Sequence, residues 1–121
     1  MKEFQWPYLN VSKEEFLVRI AFAEKILQKY GAEYIGDHNE IGTWTLKDGS
    51  NAYEEIEKHI WKRENEYIRV DRIYFSEKPF LVLEFSTKRE GPYEDADPFP
   101  YDLPDIEFEY EIKYALGLKT S

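Results

Sequence analysis

The sequence predicts a single α+β domain built on an antiparallel sheet, and three observations support this fold class. Two runs rich in β-branched and aromatic residues, 67–75 and 80–85, flank a short connection that contains Pro79. Residues 13–30 carry an apolar helical stripe with recognisable ends. The length of 121 residues is that of one domain. We therefore expect residues 1–121 to form one globular domain in which helices cover a sheet.

The hairpin 67–86 is the strongest strand signal in the chain. Apolar side chains occupy both faces of its second arm, which is typical of a central strand that is covered on each side. In its first arm the apolar residues change face near Asp71 and Arg72. A β-bulge at that point would restore the pattern, so the sequence predicts one there.

The first helix is predicted over residues 13–30. Ser12 and Glu15 have the spacing of a capping box, and Gly31 follows the last helical turn as a left-handed cap. Its core stripe consists of Phe16, Ile20, Ala23, Leu27 and Tyr30.

Two further apolar residues of this helix, Val18 and Phe22, lie away from the core stripe. They predict a contact with a second element of the same chain, which we favour because a helix in a small domain often touches two neighbours. A structural homodimer that buries Val18 and Phe22 is the alternative.

The middle of the chain gives a weaker hairpin and a short helix. Residues 33–47 predict a second hairpin that turns at 38–40, although two glycines interrupt its strands. Asn51 and Glu54 then resemble a capping pair, and they predict a helix over residues 52–61. The apolar face of that helix would contain Tyr53, Ile56 and Ile60.

The C-terminal segment carries conflicting signals. Apolar and charged residues alternate from Asp105 to Tyr114, which indicates a strand. Pro104 at a first helical position, early acids, a late Lys113 and a following Gly117 indicate a helix instead. We predict a helix over residues 104–116 from these end signals.

Composition excludes several classes of function. The chain has 16 Lys and Arg against 25 Asp and Glu, which gives a formal net charge of −9. This charge repels nucleic acid and anionic membranes, and it favours solubility or a basic protein partner. No cysteine is present, and the N-terminus lacks the apolar segment of a signal peptide, so we expect a cytoplasmic protein without disulfides.

The segment 87–104 contains four of the six prolines and shows no periodicity, so the sequence predicts a long loop. Rings and acids alternate in this loop, and such a surface suits a basic protein partner. The candidate partner-binding residues are Tyr93, Glu94, Asp95, Asp97, Phe99, Tyr101 and Asp102. Packing of the three rings onto the core is the equally weighted alternative.

Metal sites have little support in the sequence. Residues 37–40, Asp-His-Asn-Glu, could combine with His59, but no histidine pair has the spacing of a zinc motif. A polar turn explains 37–40 more simply. The acids between Glu94 and Asp105 lack the glycine and glutamate positions of a calcium loop. We expect neither a metal nor a cofactor.

Glu84 is the most notable single acid because it lies on the predicted central strand. An unpaired buried carboxyl there would have a raised pKa and could serve as a general base beside a ligand pocket. An ion pair with Arg69 or Arg72 is the favoured interpretation. The sequence contains no nucleophile elbow and no phosphate-binding loop, so we do not expect an enzyme.

These observations favour a non-enzymatic, acidic protein-interaction domain. In composition, the small, cysteine-free, acidic and tyrosine-rich chain resembles bacterial immunity or antitoxin-type inhibitors, which implies a basic toxin or enzyme as the partner. The alternatives are a small-ligand binder or hydrolase with a pocket near Glu84, and the structural homodimer.

Overall fold

The α+β fold is confirmed by a computed structural model that describes residues 2–46 and 48–118. This part of the chain forms seven strands in one sheet and two helices. In chain order the elements are β1 (Lys2–Glu3), α1 (Lys13–Lys29), β2 (Glu33–Thr45), β3 (Asn51–Arg63), β4 (Glu66–Tyr74), β5 (Pro79–Ser86), β6 (Glu94–Asp95), β7 (Phe99–Pro100) and α2 (Asp105–Ala115).

The long strand β3 organises the sheet. It pairs with β2 along its length in an antiparallel ladder, and with β1 in parallel at Ala52. It pairs with β4 only beside their connecting turn, from Trp61↔Ile68 to Arg63↔Glu66. Strand β4 then pairs with β5, whose other side carries β6 and β7. The sheet therefore opens between β3 and β4 beyond Trp61.

The predicted helix over 52–61 and the predicted hairpin within 33–47 are wrong. Both segments are long strands, and the turn that joins them lies near Asp48 and Gly49, with Lys47 outside the described residues. Alternate residues of β3 are buried, as strand geometry requires. These residues are Ala52, Glu54, Ile56, Lys58 and Ile60. Because two of the five are charged, the period of two was hidden in the hydrophobic pattern.

The two helices with clear end signals are confirmed. The Ser12 Oγ accepts a hydrogen bond of 3.0 Å from the Glu15 amide, and Gly31 has a φ of 99°, the left-handed conformation that favours glycine. In α2, Phe108 and Ile112 are fully buried one turn apart, so the helical spacing prevails over the alternating pattern. Both helices pack on the face of the sheet that carries Ile68, Val70, Leu81 and Leu83.

The hairpin of β4 and β5 is confirmed, but the predicted bulge at Asp71 and Arg72 is wrong. The ladder runs without a register shift from Tyr67↔Ser86 to Tyr74↔Pro79. The apolar pattern changes face because charged side chains, not an extra residue, occupy interior positions of β4.

No helix of the described residues is long and apolar enough to span a membrane.

Phe22 makes the predicted intramolecular contact. Its ring stacks on Phe108 of α2 with centroids 5.3 Å apart, and the Arg19 guanidinium lies 4.2 Å from the centroid of Phe108. Val18 is 65% exposed. The homodimer stays an untested alternative, and Val18 is the residue of the two that lies open to a second copy.

Candidate functional site

A buried ionic network fills the opening between β3 and β4. The Lys58 Nζ lies 2.7 Å from the Asp71 Oδ2 and 3.1 Å from the Glu84 Oε1, and it also contacts the Glu40 carboxylate. The Lys58 side chain is only 1% exposed. One cation therefore connects β2, β3, β4 and β5 through their side chains.

Arg69 supplies the second positive charge of the network. Its Nε lies 3.3 Å from the Glu84 Oε1, although the geometry is not that of a hydrogen bond, so the contact is electrostatic. The Tyr93 ring covers its guanidinium at 3.7 Å from the ring centroid. The predicted pairing of Glu84 with Arg69 is thus confirmed, whereas Arg72 pairs with a different acid.

The carboxyl of Glu84 has a pKa raised to about 7. Burial is the main cause, and the nearby Asp71 carboxylate adds to it, while Lys58 and Arg69 oppose the shift. The balance of charges explains why Lys58 and Arg69 do not bring the pKa of Glu84 back to its ordinary value. Two cations face the three carboxylates of Glu40, Asp71 and Glu84, so protonation of one acid makes the network neutral.

Lys58 was not identified from the sequence because its segment was assigned to a helix. Burial lowers the pKa of Lys58, but its hydrogen bonds to Asp71 and Glu40 outweigh this effect and hold the pKa above its ordinary value. Strand periodicity in β3 was the signal that could have shown Lys58 pointing inward. The lysine is therefore charged and fully partnered, which suits a structural tie.

Access limits the chemistry that Glu84 could perform. The residue is 8% exposed. A pocket of about 220 Å³ lies between α1 and the opening of the sheet, and its lining includes Lys58 and Arg72 but not Glu84. Because a general base must reach its substrate, this geometry favours a stabilising role for the network.

A second ionic group lies at the far end of the opening. The Arg72 Nη1 donates a hydrogen bond of 3.3 Å to the Glu54 Oε1, and the Tyr74 hydroxyl donates to the same carboxylate at 3.0 Å. Burial is the main cause that raises the pKa of Tyr74. Glu54 and Arg72 are both buried, so this group also replaces missing backbone pairing between β3 and β4.

The three rings of the segment 87–104 turn inward. Phe99 is 3% exposed and belongs to the core, so it is not a surface anchor for a partner. Tyr101 packs against Phe16 with centroids 6.2 Å apart, and Tyr93 lies on Arg69. The packing alternative thus describes these rings. The predicted loop also contains two short strands, β6 and β7, which pair with β5.

The acids of this segment remain at the surface. Glu94, Asp95 and Asp97 are exposed, and no Lys or Arg of the described residues makes a salt bridge with them. Asp102 is also exposed and lies 3.0 Å from the Lys78 Nζ. The structure therefore separates the predicted partner-binding residues into rings that pack against the protein, of which Phe99 is fully buried, and exposed carboxylates.

An aromatic pocket of about 400 Å³ lies at the end of the sheet near the N-terminus. Its lining consists of Phe4, Pro7, Tyr8, Trp44, Thr45, Leu46, Tyr74, Phe75 and Ser76. Phe4 stacks on Tyr74 at 4.6 Å, and Trp44 meets the same ring edge-on at 4.8 Å. Among the described residues, none accepts a hydrogen bond from the buried Trp44 Nε1. Burial raises the pKa of Tyr8 to about 12, so the Tyr8 hydroxyl is a neutral donor to the Phe75 carbonyl.

The pocket was not predicted because three separate segments of the chain build it. The density of rings in residues 1–11 was its only local signal. In the structure this segment contacts the rest of the protein twice: β1 pairs with β3, and the Trp6 and Phe16 ring centroids lie 5.8 Å apart.

The ladder between β2 and β3 also brings together three candidate metal ligands, Asp37, Glu57 and His59. Asp37 is the register partner of His59, and each residue offers a ligand atom within 4.8 Å of the others. His38 belongs to a different group, 3.4 Å from Glu40. The interpretation of 37–40 as a turn is wrong, because these residues lie within β2.

Comparison of the chain with protein-family models, with curated proteins and with solved structures gives no match. Function must accordingly be argued from the chemistry of the sites, since an α+β fold alone is compatible with many activities.

Proposed function

We propose that this protein is a non-enzymatic interaction domain whose acidic surface binds a basic protein partner. The observation that carries the proposal is the excess of acids at the surface. The buried cations Lys58, Arg69 and Arg72 are matched by acids that are buried or half-buried with them, whereas most of the other acidic side chains are exposed. The surface is therefore strongly acidic, as a formal net charge of −9 would suggest.

The exposed acids of the segment 90–105 are the proposed contact. Glu94 and Asp95 form the short edge strand β6, and Asp97 follows it. Tyr93 on Arg69 and Phe99 in the core hold this segment in place from both sides. A fixed acidic edge would bind a basic surface with little loss of conformational entropy and would accelerate its association.

Affinity capture with a graded salt series tests the proposal. The immobilised wild-type protein is compared with a variant that carries Glu94→Gln, Asp95→Asn and Asp97→Asn. The expected result is one specific basic protein that is retained at low salt, lost at high salt and retained poorly by the variant.

A control variant with Glu33→Gln, Glu55→Gln and Glu77→Gln has the same net charge, and all three residues are exposed. It should retain the partner like the wild type. If both variants retained the partner equally poorly, the net charge and not the proposed contact would explain the binding. If no basic protein were retained even by the wild type, the proposal would be overturned.

A second candidate function is the binding of a small aromatic molecule, and the aromatic pocket specifically favours it. A volume of about 400 Å³ is within the range of ligand sites. Stacked and edge-on rings match a flat apolar ligand, and the unpartnered Trp44 Nε1 offers one donor for its acceptor group.

Thermal denaturation with a set of aromatic fragments tests this candidate, because a ligand that binds the folded state raises the melting temperature with concentration. Trp44→Phe keeps the ring but removes the donor, so it should weaken only ligands that carry an acceptor. Trp61→Phe is the control, since Trp61 lies outside the pocket. Absence of any concentration-dependent shift would exclude the function.

A further inference from the structure

Three potential ligand atoms for a divalent cation converge beside α1, on the face of the β2–β3 ladder that α1 contacts. Asp37, Glu57 and His59 offer two carboxylates and one imidazole within 4.8 Å of one another. The strand register produces this proximity, since Asp37 lies opposite His59 and Asn39 lies opposite Glu57. Three exposed side chains leave the site open to an ion from solvent.

The orientation of His59 is determined from outside the three residues. Its Nδ1 lies 2.8 Å from the Glu24 Oε2 of α1, and since a carboxylate accepts, the Nδ1 donates. Glu24 is itself fixed, because its Oε2 also accepts a hydrogen bond of 2.7 Å from the Trp61 Nε1. Only 13% of the Glu24 side chain is exposed. A histidine whose Nδ1 donates to a carboxylate has its Nε2 available as a metal ligand.

The Nε2 of His59 lies beside the carboxylate of Asp37. It lies 3.9 Å from the Asp37 Oδ1, which is too long for a hydrogen bond. Among the described residues, no lysine or arginine makes a salt bridge with Asp37 or Glu57. The Tyr34 hydroxyl donates to the Asp37 Oδ1, so the second oxygen of that carboxylate remains for an ion.

We propose that Asp37, Glu57 and His59 form a binding site for a divalent transition metal ion such as Zn²⁺, with Glu24 as the residue that orients His59. Imidazole nitrogen with carboxylate oxygen is a donor set that Zn²⁺ accepts, whereas Mg²⁺ favours oxygen alone. Around Zn²⁺ the ligand atoms lie roughly 3.3 Å apart, so the exposed side chains need only a small rotation to close on it.

Calorimetric titration of the EDTA-treated protein with Zn²⁺ alone, at neutral pH, tests the proposal. The wild type should bind one equivalent, and His59→Gln should weaken binding by more than about tenfold. Glu24→Gln should weaken it by about 10–100-fold, because the orienting hydrogen bond becomes weaker. Asp37→Asn should also weaken it, and this variant leaves the buried Glu24 and Trp61 contacts intact. Mg²⁺ should give no saturable binding.

The chain offers a matched control, because its two histidines are His38 and His59. His38→Gln should bind Zn²⁺ like the wild type and should identify the remaining His59 signals in a ¹H–¹⁵N side-chain spectrum. Zinc should shift the Nε2 signal of His59. Circular dichroism verifies that each variant is folded.

Three results would overturn the proposal. The first is the absence of saturable binding up to about 1 mM zinc. The second is equal binding by all variants, which would indicate diffuse attraction of zinc to an acidic surface. The third is a loss of binding in His38→Gln instead of His59→Gln.

Discussion

Lys58 and Asp71 form an ion pair of 2.7 Å across the opening where β3 and β4 no longer share backbone hydrogen bonds. The same Lys58 Nζ lies 3.1 Å from Glu84 and contacts Glu40. The network thus substitutes side-chain contacts for a stretch of missing ladder. One buried lysine thus contacts three carboxylates, and Arg69 beside Glu84 supplies the second positive charge.

Replacement of Lys58 should therefore be strongly destabilising. Lys58→Met keeps most of the side-chain volume but leaves Arg69 as the one cation that faces the three carboxylates, and we expect the free energy of unfolding to fall by about 3–5 kcal/mol. Urea denaturation at neutral pH measures the change.

The control for this prediction is Lys62→Met, which lies on the same strand but is exposed, and it should change stability by less than about 0.5 kcal/mol. If Lys58→Met alone is too unstable to measure, the addition of Asp71→Asn and Glu84→Gln should restore a cooperative transition. Equal stability of the Lys58 and Lys62 variants would show that the network contributes little.

The raised pKa of Glu84 predicts a characteristic dependence of stability on pH. Because its folded pKa of about 7 exceeds the ordinary value of 4.5, the folded protein holds this proton more tightly than the unfolded chain does. This tighter proton binding stabilises the folded protein. Its contribution to the free energy of unfolding is fully present below about pH 4.5 and is lost as the pH rises through about 7. Glu84→Gln resembles the protonated acid and should remove this loss.

We therefore expect Glu84→Gln to gain stability relative to the wild type between acidic and neutral pH, by on the order of 3 kcal/mol. Urea denaturation at several pH values measures the difference. Glu90→Gln, at an exposed position, should differ from the wild type by the same small amount at every pH. A difference for Glu84→Gln that does not vary with pH would contradict the raised pKa.

The elements that could be predicted are those with local signals. Ser12 and Gly31 bound α1, Pro104 precedes α2, and the apolar run of β5 shows its central position. Each of these signals acts through backbone geometry or capping within a few residues. Glu84 was also recognised, since a lone acid in an apolar strand is conspicuous.

The elements that could not be predicted are those where interior charges replace apolar side chains. Glu54 and Lys58 interrupt the apolar alternation of β3, which was therefore predicted as a helix. In β4 the charged Arg69 and Asp71 left the strand recognisable but led to the prediction of a bulge that is not there. Hydrophobic periodicity presumes an apolar interior, so it fails where long-range ion pairs fill one. The partners of Lys58 come from three other strands, and no local pattern reports them.

The contact of Tyr93 with Arg69 predicts that this ring holds the segment 87–98 on the sheet. Tyr93→Leu removes a cation–π contact whose distance is 3.7 Å, and it should reduce stability by about 1–2 kcal/mol. Amide exchange should accelerate locally at Ala96, whose N–H donates to the Leu83 carbonyl. Tyr114→Leu is the control because Tyr114 is 65% exposed. Unchanged exchange at Ala96 would mean that the strand pairing alone holds the segment.

We expect a monomer in which Phe22 stabilises the fold and Val18 does not. Both residues lie on α1, away from its core stripe. Phe22→Ala removes a stack on Phe108 and should lower stability by about 2 kcal/mol, whereas Val18→Ala should change it by less than about 0.5 kcal/mol. Light scattering should give a mass near 14.6 kDa for the wild type at all concentrations. If the mass instead doubled with concentration, and Val18→Ala prevented the doubling, α1 would be a dimer interface and the intramolecular interpretation of this face would be incomplete.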